Sequence, residues 1–508
     1  MMTHAVLPSD LTDAPARRPH AVVIGAGFGG LAAAIRLGAR GYRVTVFDRL
    51  DGPGGRGSVW RQDGFTFDMG PTIVTAPFLF EELWELCGRK LSDDIELKAL
   101  EPFYTVRFDD GDTFSAYSDP EKMRQEVARF NPDDVAGYDR YMEEAQACFE
   151  TGFEGMVDKP FCRLFNMVEA LPDLIRRRAD RSVYGLCAKY VKDERLRVAL
   201  SFHPLFIGGS PFRVSAVFSL ISYLERHWGV HYAMGGTGAL AKGMADLIEG
   251  QGNVVRYGTD VAEILVTDGK ASGVKLGDGE IVAADVVVSN ADAAWTYSKL
   301  VPANHRTRWT DAKLDRMAYS MSLFIWYFGT DRKYDGVDHH TILMGPRYRG
   351  LIKDIFKNKV LADDFSLYLH RPSASDPSVA PDGCDAFYVL SPVPNLEADI
   401  DWTTTAEAFR KRIAAKLEET VLPDLSKHIV TSKMVTPLDF RDRLLSVRGA
   451  AFGMEPTLFQ IAWFRPHNIS EELENLYIVG AGTHPGAGLP GVLASARILD
   501  RVVPDAVA

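Results

Sequence analysis

The apolar rhythm of the chain begins with a short β-branched run at 21–24. It passes through a glycine turn at 25–30 into an alanine-rich helical stretch at 31–40, which Gly41 closes. A second strand follows at 42–47, so the opening reads βαβ. Alternation around Asp109-Asp110-Gly111-Asp112 predicts a hairpin over 105–117. Helical spacing marks 121–130 and 135–149, and one longer helical stretch is predicted over 161–200. Strand signals return at 254–255, 261–266, 273–276 and 281–288, with Gly277-Asp278-Gly279 as a turn. Runs at 323–329 and 366–369 predict buried strands, and 406–421 a helix. The chain then closes on a strand at 476–479, a glycine turn at 480–491 and a helix at 492–503.

Composition narrows the classes. The 508 residues are 46% hydrophobic and 25% charged, enough for a large core. Lys plus Arg is 57 against 68 for Asp plus Glu, a net charge of −11, so a nucleic-acid partner is not expected. The five cysteines, Cys87, Cys148, Cys162, Cys187 and Cys384, lack CxxC spacing and are odd in number. Free thiols in a reducing cytoplasm are expected, and no metal site. Residues 1–19 carry charges and no apolar core, and read as a disordered leader rather than a signal peptide. The uncharged run at 21–35 is broken by four glycines and is shorter than the roughly 18 residues of a spanning helix.

The glycines carry the first chemistry. Gly25-Ala26-Gly27-Phe28-Gly29-Gly30 fits GxGxxG between strand and helix. The first glycine permits a tight turn, the second a close backbone approach to pyrophosphate, and the last lets the helix pack on the strand. Asp48 lies 18 residues past Gly30, near the spacing for a carboxylate on ribose hydroxyls. A second loop, Gly52-Pro53-Gly54-Gly55-Arg56-Gly57, offers a fixed cation at Arg56, and Gly70 marks a third close approach. Near the C-terminus, the run from Gly480 through Gly482, Thr483 and His484 to Pro490, Gly491 and Val492 leads into a helix. That helix's N-terminus favours negative charge, which suits a reduced flavin better than a nicotinamide.

At these residues the chain resembles the flavin-dependent amine oxidase and carotenoid desaturase superfamily, and within it the bacterial phytoene desaturases. The carrying motifs are VVIGAGFGGLAAAIRLGARG, DRLDGPGGRGS, FDMGPTIV, VKDERLRVALSFHPLFIGGSPF, GVHYAMGG, ADVVVSNAD, SLFIWYFGT, AWFRPHNISEE and GAGTHPGAGLPGV, spread over about residues 20 to 495. The resemblance implies FAD, held at or near Gly25, Gly27, Gly29, Gly30, Asp48, Gly55, Arg56, Gly70, Val261, Gly482, Thr483, Pro490, Gly491 and Val492. Asp48 stands where the superfamily often has Glu, and Ala481 where it often has Asp, which shifts the ribityl–pyrophosphate contact to Thr483 or to backbone. The implied fold is α/β, with a Rossmann-like FAD-binding domain assembled from 20–100, 230–295 and 440–505. An α+β substrate and membrane-facing domain is interleaved from 101–229 and 296–439.

The implied reaction is dehydrogenation of a long isoprenoid, phytoene, in carotenoid biosynthesis: a hydride passes to flavin and a proton leaves the neighbouring carbon. A hydrocarbon gives no hydrogen bonds, so an apolar tunnel is expected. The run 323–328 is the candidate wall, with Phe324, Trp326 and Phe328, joined by Phe202, Leu205, Phe206, Phe212, Tyr223 and Trp228. Of the histidines and arginine in the shared motifs (His203, His231, His370, Arg465, His467, His484), only His484 sits in the flavin loop, as a candidate weak base. No catalytic residue is assigned. Such a substrate stays in lipid, since each buried CH₂ is worth about 0.8 kcal/mol. A peripheral enzyme on the cytoplasmic side of the membrane follows. Phe161, Leu164, Phe165, Val168, Leu171 and Ile175, followed by Arg176, Arg177, Arg178 and Arg181, predict an interfacial helix kinked at Pro172. Oxygen or a quinone is the implied electron acceptor. Three other readings compete: a desaturase of later hydroxy- or methoxy-carotenoids or of a shorter precursor, an amine oxidase, and a non-catalytic prenyl-binding carrier. Tunnel length, an aromatic cage with a wet entrance, and loss of bound flavin would mark them in turn.

Overall fold

The computed structural model describes residues 18–506. Most of the 1–19 leader therefore lies outside the described residues. A five-stranded parallel sheet runs Leu476–Ile478, Val286–Ser289, His20–Ile24, Arg43–Phe47, Val254–Arg256. Its strands are near-continuous Val/Ile runs because both faces are covered. Phe28–Ala39, Thr237–Gly250 and Leu489–Arg497 pack on one face, and a three-stranded antiparallel sheet (Val261–Thr267, Lys270–Leu276, Ile281–Ala283) lies on the other. The single strand expected at 281–288 is thus two, split at Ala284-Asp285 and serving different sheets.

A seven-stranded sheet forms the second layer, in the order Ile429–Val435, Ser322–Thr330, Asp385–Val393, Leu367–His370, His340–Leu343, Tyr104–Arg107, Thr113–Ala116. The 105–117 hairpin forms as expected around its Asp-Gly turn. Helix Trp402–Thr420 covers the outer face. The inner face and the helices from 120 to 228 enclose a cavity against the first sheet.

The long helix expected at 161–200 is three: Leu164–Arg176, Val183–Tyr190 and Glu194–Ser201. Ser182 and Asp193 cap the second and third, their side chains accepting from first-turn N–H groups, so the chain restarts twice. The first helix runs through Pro172 rather than breaking there.

Candidate FAD and substrate cavity

The first glycine loop is shaped by contacts only glycine permits. Gly25 has φ +96°, and a Cβ on Gly30 would stand 2.0 Å from the Gly25 carbonyl oxygen. Gly30 therefore seats helix on strand and does not border the cavity, whereas Gly25, Gly27 and Gly29 do. The second loop docks on the first: Gly54 N–H donates to Ala26 O at 2.8 Å, and a Cβ on Gly55 would lie 3.3 Å from Gly27 Cα. Asp48 is buried at the cavity edge and accepts from Ala26 N (2.6 Å) and Leu50 N (2.8 Å). Burial raises its pKa, while those two N–H groups pull it back. Its carboxylate thus fixes both loop ends and keeps lone pairs for a ligand.

Arg56 lines the cavity, donating to Ser446 Oγ at 2.7 Å and standing 3.7 Å from Asp292. Its Nε is buried and has no hydrogen-bond partner among the described residues. Burial pushes its pKa down, against the pull of Asp292. A cation held beside a glycine cradle with a spare donor is what a dinucleotide's phosphates or a flavin ring would engage. Gly70 and Val261 also border the cavity.

Helix Leu489–Arg497 aims its N-terminus into the cavity, with Gly488 as N-cap and Pro490 in the first turn. Pro490, Gly491 and Val492 all line it. First-turn N–H groups lack intrahelical acceptors, so this end attracts negative charge.

Two expected contacts are corrected. Thr483 is fully buried and spends its hydroxyl on Pro466 O at 2.6 Å, away from the cavity. Gly482 faces Ala293, whose Cβ would lie 2.6 Å from an added one. Ala481 borders the cavity instead. Sequence reading missed Asn290, whose side chain lies within 4 Å of the Cβ positions of Gly25, Gly27, Gly29, Gly30 and Gly480. Its place in ADVVVSNAD, at the end of a strand of the parallel sheet, was the available signal.

Away from the glycines the lining is mostly apolar, in a cavity of about 550 Å³. Phe202, Leu205 and Phe206 line it as expected. The strand Ser322–Thr330 does form a wall, but through Leu323 and Ile325. Phe324, Trp326 and Phe328 face the opposite side, where Phe324 meets Phe409 at 5.1 Å between ring centroids. Side chains alternate along a strand, and an all-apolar run gives no hint which parity faces the cavity. Tyr223 is likewise corrected: it packs on Phe149 (5.2 Å), with Trp228 beside it, while Phe212 packs on Tyr184 (4.8 Å).

Among the histidines, His203 is bound to Glu225 and Tyr104, and His467 to Trp463 O and Glu471, both off the cavity. His231 sits in a short strand and His370 in the seven-stranded sheet. Arg465 holds Met454 O and Ala481 O from beneath the loop. His484 does reach the cavity. Its Nε2 is 2.9 Å from the Met156 carbonyl, which places the ring proton there. Nδ1 is then a bare acceptor, buried without a partner among the described residues. Burial lowers its pKa to about 4, so the ring is neutral at pH 7.

A phosphate cradle on a parallel sheet, joined to an apolar chamber, defines a flavin-dependent oxidoreductase. The chain belongs to the flavin-containing amine oxidoreductase family, which matches residues 28–498. The cofactor is accordingly FAD, and the cradle, the unpartnered Arg56 Nε and the helix N-terminus fit it. The chain is 53% identical over 492 residues to a phytoene desaturase (neurosporene-forming) of Rhodobacter capsulatus, covering 96% of this chain and 94% of that protein. It is 46% identical to a phytoene desaturase (lycopene-forming) of Pseudescherichia vulneris, covering 94% and 97%. Among solved structures, an oxidoreductase from Methanosarcina mazei superposes with a TM-score of 0.63 at 18% identity, over 95% of this chain and all of that one.

Proposed function

We propose that this protein is an FAD-dependent phytoene desaturase, introducing C=C bonds into phytoene in carotenoid biosynthesis. The carrying observation is the join of a dinucleotide cradle to a chamber walled by Phe202, Phe206, Leu323 and Ile325. The desaturase relatives at 46–53% identity support the substrate. When bound, FAD supplies the hydride acceptor for oxidation of CH–CH to C=C. The chain's residues orient an unfunctionalised hydrocarbon by shape and exclude water. His484 Nδ1 offers a neutral acceptor for the departing proton. Expression in phytoene-accumulating cells tests this: pigment with a longer conjugated polyene supports it, and unchanged phytoene beside flavin-loaded protein refutes it.

The substrate enters from a membrane surface on the cytoplasmic side. Helix Leu164–Arg176 supports this reading, because Leu164, Phe165, Val168, Leu171 and Ile175 are exposed while Met167 and Leu174 line the cavity behind them. Phe459, 73% exposed, lies in the segment whose Leu458 and Ile461 line the same region. Among the described residues no helix is long and apolar enough to cross a membrane. Phe161, counted with the apolar stripe from the sequence, is buried against His484 instead. Arg176 and Arg178 are exposed, whereas Arg177 is turned in toward Glu144 and Arg181 is half-buried. Electrons pass on to oxygen or a quinone, distinguishable by flavin reoxidation with each acceptor.

A further inference from the structure

Behind the cavity wall the seven-stranded sheet gathers three imidazoles. His340 and His370 are direct partners across the antiparallel pair His340–Leu343 and Leu367–His370, so their side chains share one face. His339 precedes the first of these strands and is pinned by Arg371 N–H donating to its carbonyl at 2.9 Å. All three residues are buried. Their ring centroids are 4.5, 4.9 and 5.1 Å apart. That is close to the roughly 5 Å that three imidazoles take around one tetrahedral ion with bonds of about 2.0–2.1 Å.

We infer that His339, His340 and His370 form a binding site for one first-row divalent cation of the zinc type. His339 Nε2 and His370 Nε2 stand 3.1 Å apart. His340 Nε2 is buried with no hydrogen-bond partner among the described residues. The Nδ1 atoms of His339 and His340 are held by hydroxyls, Ser375 Oγ at 2.7 Å and Tyr368 Oη at 2.6 Å. Metal-bound histidines are oriented in this way, one nitrogen to the ion and the other to a hydrogen bond. An all-imidazole set without thiolate suits zinc and its neighbours, and three ligands leave one coordination position open. Asp376 adds negative charge toward His339; Lys98 and Arg371 add positive charge, with Arg371 paired to Asp385 at 3.0 Å. The ion would tie two strands together and fix Tyr368, which lines the cavity and also bonds Thr72 Oγ1 at 2.7 Å. This inference is independent of the substrate.

The test uses FAD-loaded, full-length protein purified from metal-poor medium and titrated with Zn²⁺, or with Co²⁺ as a spectroscopic probe. One equivalent is expected to bind, to raise the unfolding midpoint with Zn²⁺ concentration, and to give tetrahedral Co²⁺ absorption outside the flavin bands. His339→Gln and His370→Gln should each weaken binding by roughly a hundredfold or more. His428→Gln, at a half-buried histidine paired with Asp331, should leave it unchanged. No equivalent bound by wild type, or wild-type affinity retained in both cluster variants, overturns the inference. If those variants do not fold, X-ray absorption on the Zn²⁺-loaded wild type decides: three imidazole nitrogens support the site, and oxygen-only scattering overturns it.

Discussion

Changing Phe165 and Ile175 together to Gln attacks the proposed membrane face at the two most exposed apolar side chains of helix Leu164–Arg176, at 65% and 64%. Fully burying such a side chain is worth roughly 1.5–3 kcal/mol, so entering lipid with about two-thirds still exposed is worth about 1–2 kcal/mol each. The double variant should lose about 2–4 kcal/mol of membrane affinity, roughly thirtyfold or more at 1.4 kcal/mol per tenfold. The fold should be indifferent, because exposed substitutions away from caps and ion pairs usually stay within about 0.5 kcal/mol. Sedimentation with anionic liposomes reads the partition, and the thermal midpoint and bound flavin control for folding. Turnover should fall with phytoene in liposomes and persist with detergent-dispersed phytoene. Equal sedimentation of variant and wild type, both flavin-loaded, would refute the lipid-facing assignment.

Other consequences are local. Arg56→Met removes a charged donor from the cradle and should weaken FAD by about 1.5–3 kcal/mol, measured by titrating apoprotein with FAD, with Arg56→Lys between the two. Ile325→Trp should cut phytoene turnover severalfold or more while FAD remains bound, whereas Phe324→Leu, on the other face, should lower the melting temperature and spare turnover. His484 has a folded-state pKa near 4, below the usual 6.5, so its contribution is complete above pH 6.5 and is lost as pH falls toward 4. Over that window it amounts to roughly 3 kcal/mol. His484→Gln should therefore lose less stability between pH 7 and 4 in denaturant titrations than wild type does.

Legibility in the sequence followed how local each constraint was. The Gly25–Gly30 turn and the Pro490 helix start act on neighbouring residues, and Asp48 reaches back to Ala26 within one βαβ unit, so their spacing displays them. The 105–117 hairpin was readable for the same reason. Strand Asp385–Val393 went unread, because buried on both faces it has no alternation, and it is set by pairing with Ser322–Thr330. The same symmetry hid the parity that sends Leu323 and Ile325, not Phe324 and Trp326, to the cavity. Thr483 looked available because a hydroxyl beside a glycine run resembles a ligand contact; only the fold reveals that Pro466 has claimed it. The imidazole cluster joins His339-His340 to His370 through strand register, and an expectation built on cysteine spacing was blind to it.

The central claim, that an apolar polyene is oxidised at this FAD cradle, is tested most directly by mixing oxidised, FAD-loaded protein with phytoene-bearing liposomes in the absence of oxygen and quinone. The account predicts that flavin absorbance bleaches as phytoene is consumed, and that a longer conjugated polyene forms in proportion. Flavin that stays oxidised beside unchanged phytoene, in protein that is folded and still reducible by dithionite, would contradict it.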